Sequence, residues 1–217
     1  MLRRSLILLS ALLFGCGPSQ PVASSTVSLQ LLFNGTALHC QQVLTIDNQR
    51  WTLQQFQLYL SQFSLNDTPL PLAPAPAYQQ ADIALLGTVC DGADNWQLQF
   101  ARPLSSGQLS FTLGVPAALN HQDPLRAAPP LNQSDMFWSW QQGYKYLRLE
   151  LAGDEQQWAL HLGATGCQSP SPMRPPATPC QQPNLPRISL NYQSGQTLTL
   201  DLAPLLSGIR LSADNHC

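Results

Sequence analysis

The chain has 217 residues, a formal net charge of −2, and only 10% Asp, Glu, Lys and Arg. Lys145 is its one lysine, so there is no basic patch to neutralise phosphates and nucleic acid is not an expected partner. The length suits one large β domain or two small ones.

The chain begins Met1-Leu2-Arg3-Arg4, and an apolar run follows over residues 6–14, interrupted by Ser10. The run is shorter than the ~20 apolar residues that a membrane-spanning helix needs. A basic start, a short apolar stretch and a small residue before the cut describe a secretory signal over residues 1–15. Gly15 stands directly before Cys16, which makes the site a lipobox with Cys16 as the lipidated first residue of the mature chain. Gly17 rather than Asp follows, which in a Gram-negative cell favours the outer membrane. The expectation is an exported protein, lipid-anchored and facing the periplasm or the cell surface. Removing residues 1–15 takes away two of the ten basic residues and none of the twelve acidic ones, so the charge falls from −2 to −4.

Residues 16–26 are small and polar and read as a flexible tether, with one domain over 27–217. In that domain Val27, Leu29, Leu31 and Phe33 alternate with polar neighbours, the period of a half-buried strand. Phe56, Leu58 and Leu60 repeat the pattern toward Phe63 and Leu65, and residues 96–100 and 108–113 do likewise. The stretch 69–77 interleaves proline with leucine and alanine and reads as an extended loop. Residues 144–151 predict a strand with Tyr144, Tyr146, Arg148 and Glu150 on one face and Lys145, Leu147, Leu149 and Leu151 on the other. Residues 158–162 predict another, with His161 facing away from Leu160 and Leu162. Residues 187–192 and 196–201 flank Gln193-Ser194-Gly195 and predict a hairpin. Nineteen prolines oppose long helices. The expected fold is all-β, a single sandwich-like domain with long Pro-rich loops.

Six cysteines are present. With Cys16 assigned to lipid, Cys40, Cys90, Cys167, Cys180 and Cys217 remain, and an oxidising compartment favours disulfides. Four cysteines permit three pairings, and the sequence alone does not choose among them. Cys167–Cys180 with Cys40–Cys90 is the pairing we expect, because the first bond closes a Pro-rich loop at roughly 3 kcal/mol on the chain-entropy estimate. Cys217 is left over.

The middle of the chain departs from ordinary strand sequence. It carries Gly114-Val115-Pro116, then Asn120-His121-Gln122-Asp123-Pro124, then Met136-Phe137-Trp138-Ser139-Trp140 leading into Gly143-Tyr144-Lys145. His161-Leu162-Gly163 follows, with Cys167 close behind. In this order the motifs resemble those of the MbnP-like proteins, the metallo-mystery-pair family with four cysteines, and the likeness runs from about residue 29 to 202. The resemblance implies a β-rich, exported copper-binding protein whose partner is a di-haem peroxidase-like protein. It also implies a tryptophan oxidised to kynurenine beside histidine ligands. On matching positions the ligands are His121 and His161, the tryptophans Trp138 and Trp140, and the four family cysteines Cys40, Cys90, Cys167 and Cys180.

Imidazole and thioether donors suit copper. Met136 is a candidate soft ligand, although its place on a strand also suits the core. Asp123 is a candidate acceptor that orients His121. Trp138 and Trp140, two residues apart, share a face if both lie on one strand. His39 reads as packing beside the Cys40 disulfide and His216 as solvated. The expected function is copper acquisition, storage or delivery, without enzymatic activity. Two other readings compete: a metal-free surface lipoprotein that binds a ligand or protein, and a hydrolase using His121 and Asp123 with Ser134 or Ser139. The hydrolase lacks a Gly-x-Ser-x-Gly elbow and a two-carboxylate constellation.

Overall fold

The structure is a computed structural model and describes residues 24–212 except 76, 81 and 93. The expected signal sequence over residues 1–15, Cys16, His216 and Cys217 lie outside the described residues. The fold is all-β, two packed sheets with, among the described residues, one short helix, Leu202–Leu206, and one 3-10 turn, Ser134–Met136.

The spine of the larger sheet is the 17-residue strand Gln49–Leu65. Along one edge it pairs antiparallel first with Gly143–Gly153 and then with Gly107–Leu113. Along the other it pairs with Val43–Ile46, Ile83–Val89 and Thr68–Pro69. Gly143–Gly153 pairs in turn with Gln157–Gly163 and with the short strand Phe137–Ser139. The smaller sheet is built on Ser25–Phe33, which pairs parallel with Leu198–Asp201 and antiparallel with Thr36–Ala37 and Gln97–Phe100.

Period-two alternation gives the larger sheet two buried faces. Leu58, Leu60, Ala84, Leu86, Leu147 and Leu149 join Val27, Leu31, Leu98 and Phe100 of the smaller sheet in the main core. The alternate residues Tyr59, Ile83, Leu85, Tyr144 and Tyr146 build a second cluster with Val115, Leu131, Met136, Ala164 and Cys167. That second face is covered by irregular chain from the His121 loop and from the Pro-rich loop closed by Cys167–Cys180. Both expected disulfides, Cys40–Cys90 and Cys167–Cys180, are formed.

Three local expectations are corrected. Residues 187–201 do not fold back as a hairpin: Arg187–Tyr192 pairs with Gly107–Leu113 in one sheet and Leu198–Asp201 pairs with Ser25–Phe33 in the other. The segment crosses between layers because each strand finds a longer partner elsewhere. Lys145 leaves the leucine face. A bulge, where Lys145 pairs with Gly163 but Leu147 with Leu162, turns it toward Asp135, whose carbonyl accepts from Lys145 Nζ (2.7 Å) and from Arg148 Nη1 (3.2 Å). Trp138 and Trp140 do not share one strand, because the strand ends at Ser139 and Trp140 begins the turn.

Candidate metal centre

His161 stands on Gln157–Gly163, cross-strand from Arg148. Its leucine neighbours Leu160 and Leu162 pack on the main core, so the imidazole points to the second face. Its Nε2 lies 3.1 Å from Glu150 Oε1. A carboxylate only accepts, so Nε2 carries the proton and Nδ1 keeps a lone pair to offer. Burial lowers the His161 pKa. The bond to Glu150 opposes this, and the charges of Lys145 and Arg148 add to it. Glu150 is held by Arg148, whose Nε donates to Oε1 at 2.7 Å. Burial pushes the carboxyl up, but the hydrogen bonds from Arg148 and His161 outweigh it and leave its pKa below the ordinary value. Arg148 also reaches Asp135 Oδ2 at 3.1 Å, which Gln55 Nε2 bonds at the same length. The result is a neutral imidazole locked by an ionised carboxylate, the usual setting of a metal-ligating histidine.

Trp138 lies against this imidazole, with ring centroids 6.2 Å apart and planes inclined at 59°. Gly163 makes the approach possible: a Cβ at that position would come within 2.3 Å of the Trp138 ring.

His121 sits in the loop after Gly107–Leu113 and is half-buried. Its Nδ1 donates to the carbonyl of Trp140 at 3.1 Å. The lone pair is therefore on Nε2, which lies 3.4 Å from Asn120 Nδ2 and 3.8 Å from Cys180 Sγ. Burial lowers the His121 pKa against the opposing bond to Trp140. Asn120 fixes this loop: its buried amide accepts from Tyr144 N–H (3.0 Å) and donates to the Gln142 carbonyl (3.3 Å). Gly143, at φ +81°, is what lets the turn close, since a Cβ there would stand 2.2 Å from the Asn120 carbonyl oxygen.

Other candidates fall in different places. Asp123 does not orient His121; its carboxylate accepts from Leu125 N–H at 2.9 Å and caps its own turn, leaving the orienting role to the Trp140 backbone. Met136 is fully buried among Tyr59, Tyr144 and Tyr146. The Trp140 ring meets Phe137 edge-on at 5.9 Å, so Trp140 serves His121 through its carbonyl. His39 is exposed. Ser139 Oγ accepts from Gln142 N–H at 3.1 Å, Ser134 is exposed, and neither bonds His121.

The two expected histidines thus occupy adjoining but separate surroundings, linked by the turn from Trp138 to Trp140. Around His121 a second set of donor atoms gathers: its imidazole and the sulfurs of Cys167 and Cys180 all lie within 4.8 Å of one another. Sequence reasoning did not pick out Glu150 as the partner of His161. The signal was present, since both residues were read as lying on faces opposite leucines of neighbouring strands, but the register that unites them depends on the turn between.

Comparison with known proteins agrees with this architecture. The MbnP family model matches residues 22–217. The solved structure of MbnP from Methylosinus trichosporium superposes with a TM-score of 0.75 over 90% of this chain and 82% of that one, at 22% sequence identity. No curated protein matches the chain. The family match spans both disulfides, both histidine surroundings and the paired sheets that carry them, and the chain belongs to the MbnP family.

Proposed function

We propose that this chain is an exported, non-enzymatic copper-binding protein. His161 is the anchored ligand, the oxidised side chain of Trp138 stands beside it, and His121 is a second metal-competent imidazole. The observation that carries the reading is the Glu150–His161–Trp138 arrangement. It holds a neutral imidazole in one tautomer and sets one of the two candidate tryptophans, Trp138, against it. Imidazole donors in a half-buried site suit copper better than they suit Mg²⁺ or Ca²⁺, which need oxygen ligands. A bound copper ion would supply a site for transfer to or from a carrier. The chain's own residues hold the proton on Nε2, aim Nδ1 and screen the site with indole.

Oxidative cleavage of the Trp138 C2–C3 bond, followed by hydrolytic loss of C2 as formate, would leave an aryl ketone bearing a free aniline nitrogen, a further donor next to His161. The oxidant in this reading is the di-haem peroxidase-like partner that the family resemblance implies. Cys16 would tether the protein to the membrane.

The test is copper retention by protein matured with its partner, compared with His161→Ala and with the His121→Ala/His161→Ala double variant. The reading expects copper in the wild type and loss in both variants. Equal copper in wild type and double variant would rule it out.

A further inference from the structure

We infer that His121 and the Cys167–Cys180 disulfide form a second, redox-gated metal site, closed to metal when the sulfurs are bonded and opened when they are reduced. This goes beyond the copper site at His161 and shares only His121 with the reading above.

Three features lead to it. His121 is already set as a ligand, because its Nδ1–H donates to the Trp140 carbonyl and leaves the Nε2 lone pair 3.4 Å from Asn120 Nδ2 and 3.8 Å from Cys180 Sγ. A donor nitrogen of the His121 imidazole and the two sulfurs lie within 4.8 Å of one another, so small movements would bring all three residues onto one ion. A thiolate–metal bond is about 2.3 Å and an imidazole–metal bond about 2.0 Å. Finally, a pocket of about 290 Å³ opens onto Cys180 and His121, walled by Tyr146, Ala164, Pro179 and Leu185. It gives a small reductant or a metal carrier a path to the sulfur, while Cys167 stays buried at 6% exposure.

The chemistry balances with a dithiol as reductant. A thiolate of the dithiol attacks Cys180 Sγ, the S–S bond breaks, and Cys167 leaves as thiolate. The second thiol of the reductant then displaces Cys180, so the reductant leaves as a disulfide and the protein holds two cysteine sulfurs. Metal binding displaces the remaining thiol protons and gives an imidazole–dithiolate set, which suits soft ions such as Cu(I) or Zn(II). Reoxidation by thiol–disulfide exchange with a small disulfide, which takes the two electrons and leaves as its thiols, reforms the Cys167–Cys180 bond, removes two of the three donors and expels the ion. In the oxidised state a disulfide beside a single imidazole is a poor metal site. The backbone need not rearrange for the switch, because Cys167 is built into the second core cluster and the Thr165–Gln182 bridge ties the two ends of the loop together.

The experiment uses the full chain carrying His161→Ala, which removes the first site, and Co(II) as the probe. The protein is titrated with Co(II) before and after reduction by a phosphine, with near-UV circular dichroism recorded in parallel. The expected result is a thiolate-to-cobalt charge-transfer band in the reduced protein alone. That band should be absent when Cys180→Ser is added. His121→Gln, which leaves both cysteines in place, should weaken Co(II) binding to the reduced protein at least about tenfold. The proposal is overturned by an equal band in the Cys180→Ser protein, which would place the ion on other cysteines. Unchanged affinity in His121→Gln would also overturn it, as would loss of the native dichroism on reduction. Failure of copper binding at His161 would leave these outcomes untouched, because that residue is absent throughout.

Discussion

His161 donates its Nε2 proton to Glu150 at 3.1 Å, while Arg148 clamps the same carboxylate oxygen at 2.7 Å. One oxygen therefore serves a cation and an imidazole together. The imidazole gains direction from the carboxylate without gaining charge, because burial and the neighbouring Lys145 and Arg148 work against its protonation.

Glu150→Gln should keep the shape of the side chain and weaken its hold on His161. An amide is a poorer acceptor than a carboxylate and can present its NH₂ instead. Copper affinity, measured by competition with a chromophoric chelator, is expected to fall between about 10- and 100-fold. Unchanged affinity would mean that Glu150 orients nothing that the metal needs.

Gly163→Ala tests the place of Trp138. The new Cβ would press on the indole at 2.3 Å and on the Tyr144 carbonyl at 2.9 Å, so the ring must leave its seat against His161. We expect a cost of about 1–3 kcal/mol in urea unfolding and loss of oxidation at Trp138 in protein matured with its partner. Peptide mass spectrometry reads the second effect as the disappearance of a gain of about 4 Da, the mass change for tryptophan to kynurenine, at a residue beside an imidazole copper site.

The metal-free protein should lose stability on the acid side of neutrality. His121 and His161 both have pKa values below the ordinary one, with burial the main cause. The unfolded chain then binds more protons than the folded chain. The stability that these residues contribute is present above the unfolded imidazole pKa of about 6.5 and is lost as pH falls through the lowered folded values. Glu150 is also depressed and adds a further loss below the ordinary carboxylate range. Titration of the histidine C2 protons by NMR checks the first part: both midpoints should lie below that of a free imidazole. A midpoint at or above it for either residue would contradict the neutral, pre-set ligand.

The two disulfides should differ in what they contribute. Cys40–Cys90 spans 50 residues and Cys167–Cys180 spans 13, which on loop entropy alone correspond to about 4 and about 3 kcal/mol. Removing the first by a Cys40→Ser/Cys90→Ser double change should therefore lower the urea midpoint more than Cys167→Ser/Cys180→Ser does. The opposite order would show that the Pro-rich loop is essential to the second core cluster.

Much of this was legible in the sequence because strand alternation survives wherever a face is buried. The Val27 to Phe33 pattern, the Phe56 to Leu65 pattern and the leucines of residues 144–151 all fall where their periods place them. Strand partners were not legible. Residues 187–192 and 198–201 look like a hairpin locally, but long-range pairing sent them to different sheets. The bulge at Lys145 changes a side chain's face without leaving a mark in the hydrophobic pattern. At the site, the family resemblance pointed to both histidines and both tryptophans. Which tryptophan meets which histidine depends on where the strand stops, at Ser139. The Trp140 carbonyl that orients His121 is a backbone atom, and side-chain chemistry gave no hint of it.

The most direct test of the copper account is the metal content of native, partner-matured protein beside that of its His161→Ala variant, both measured by elemental mass spectrometry after dialysis against a weak chelator. The account predicts copper retained by the wild type and lost from His161→Ala. Copper retained equally by both proteins, or by neither, would contradict it.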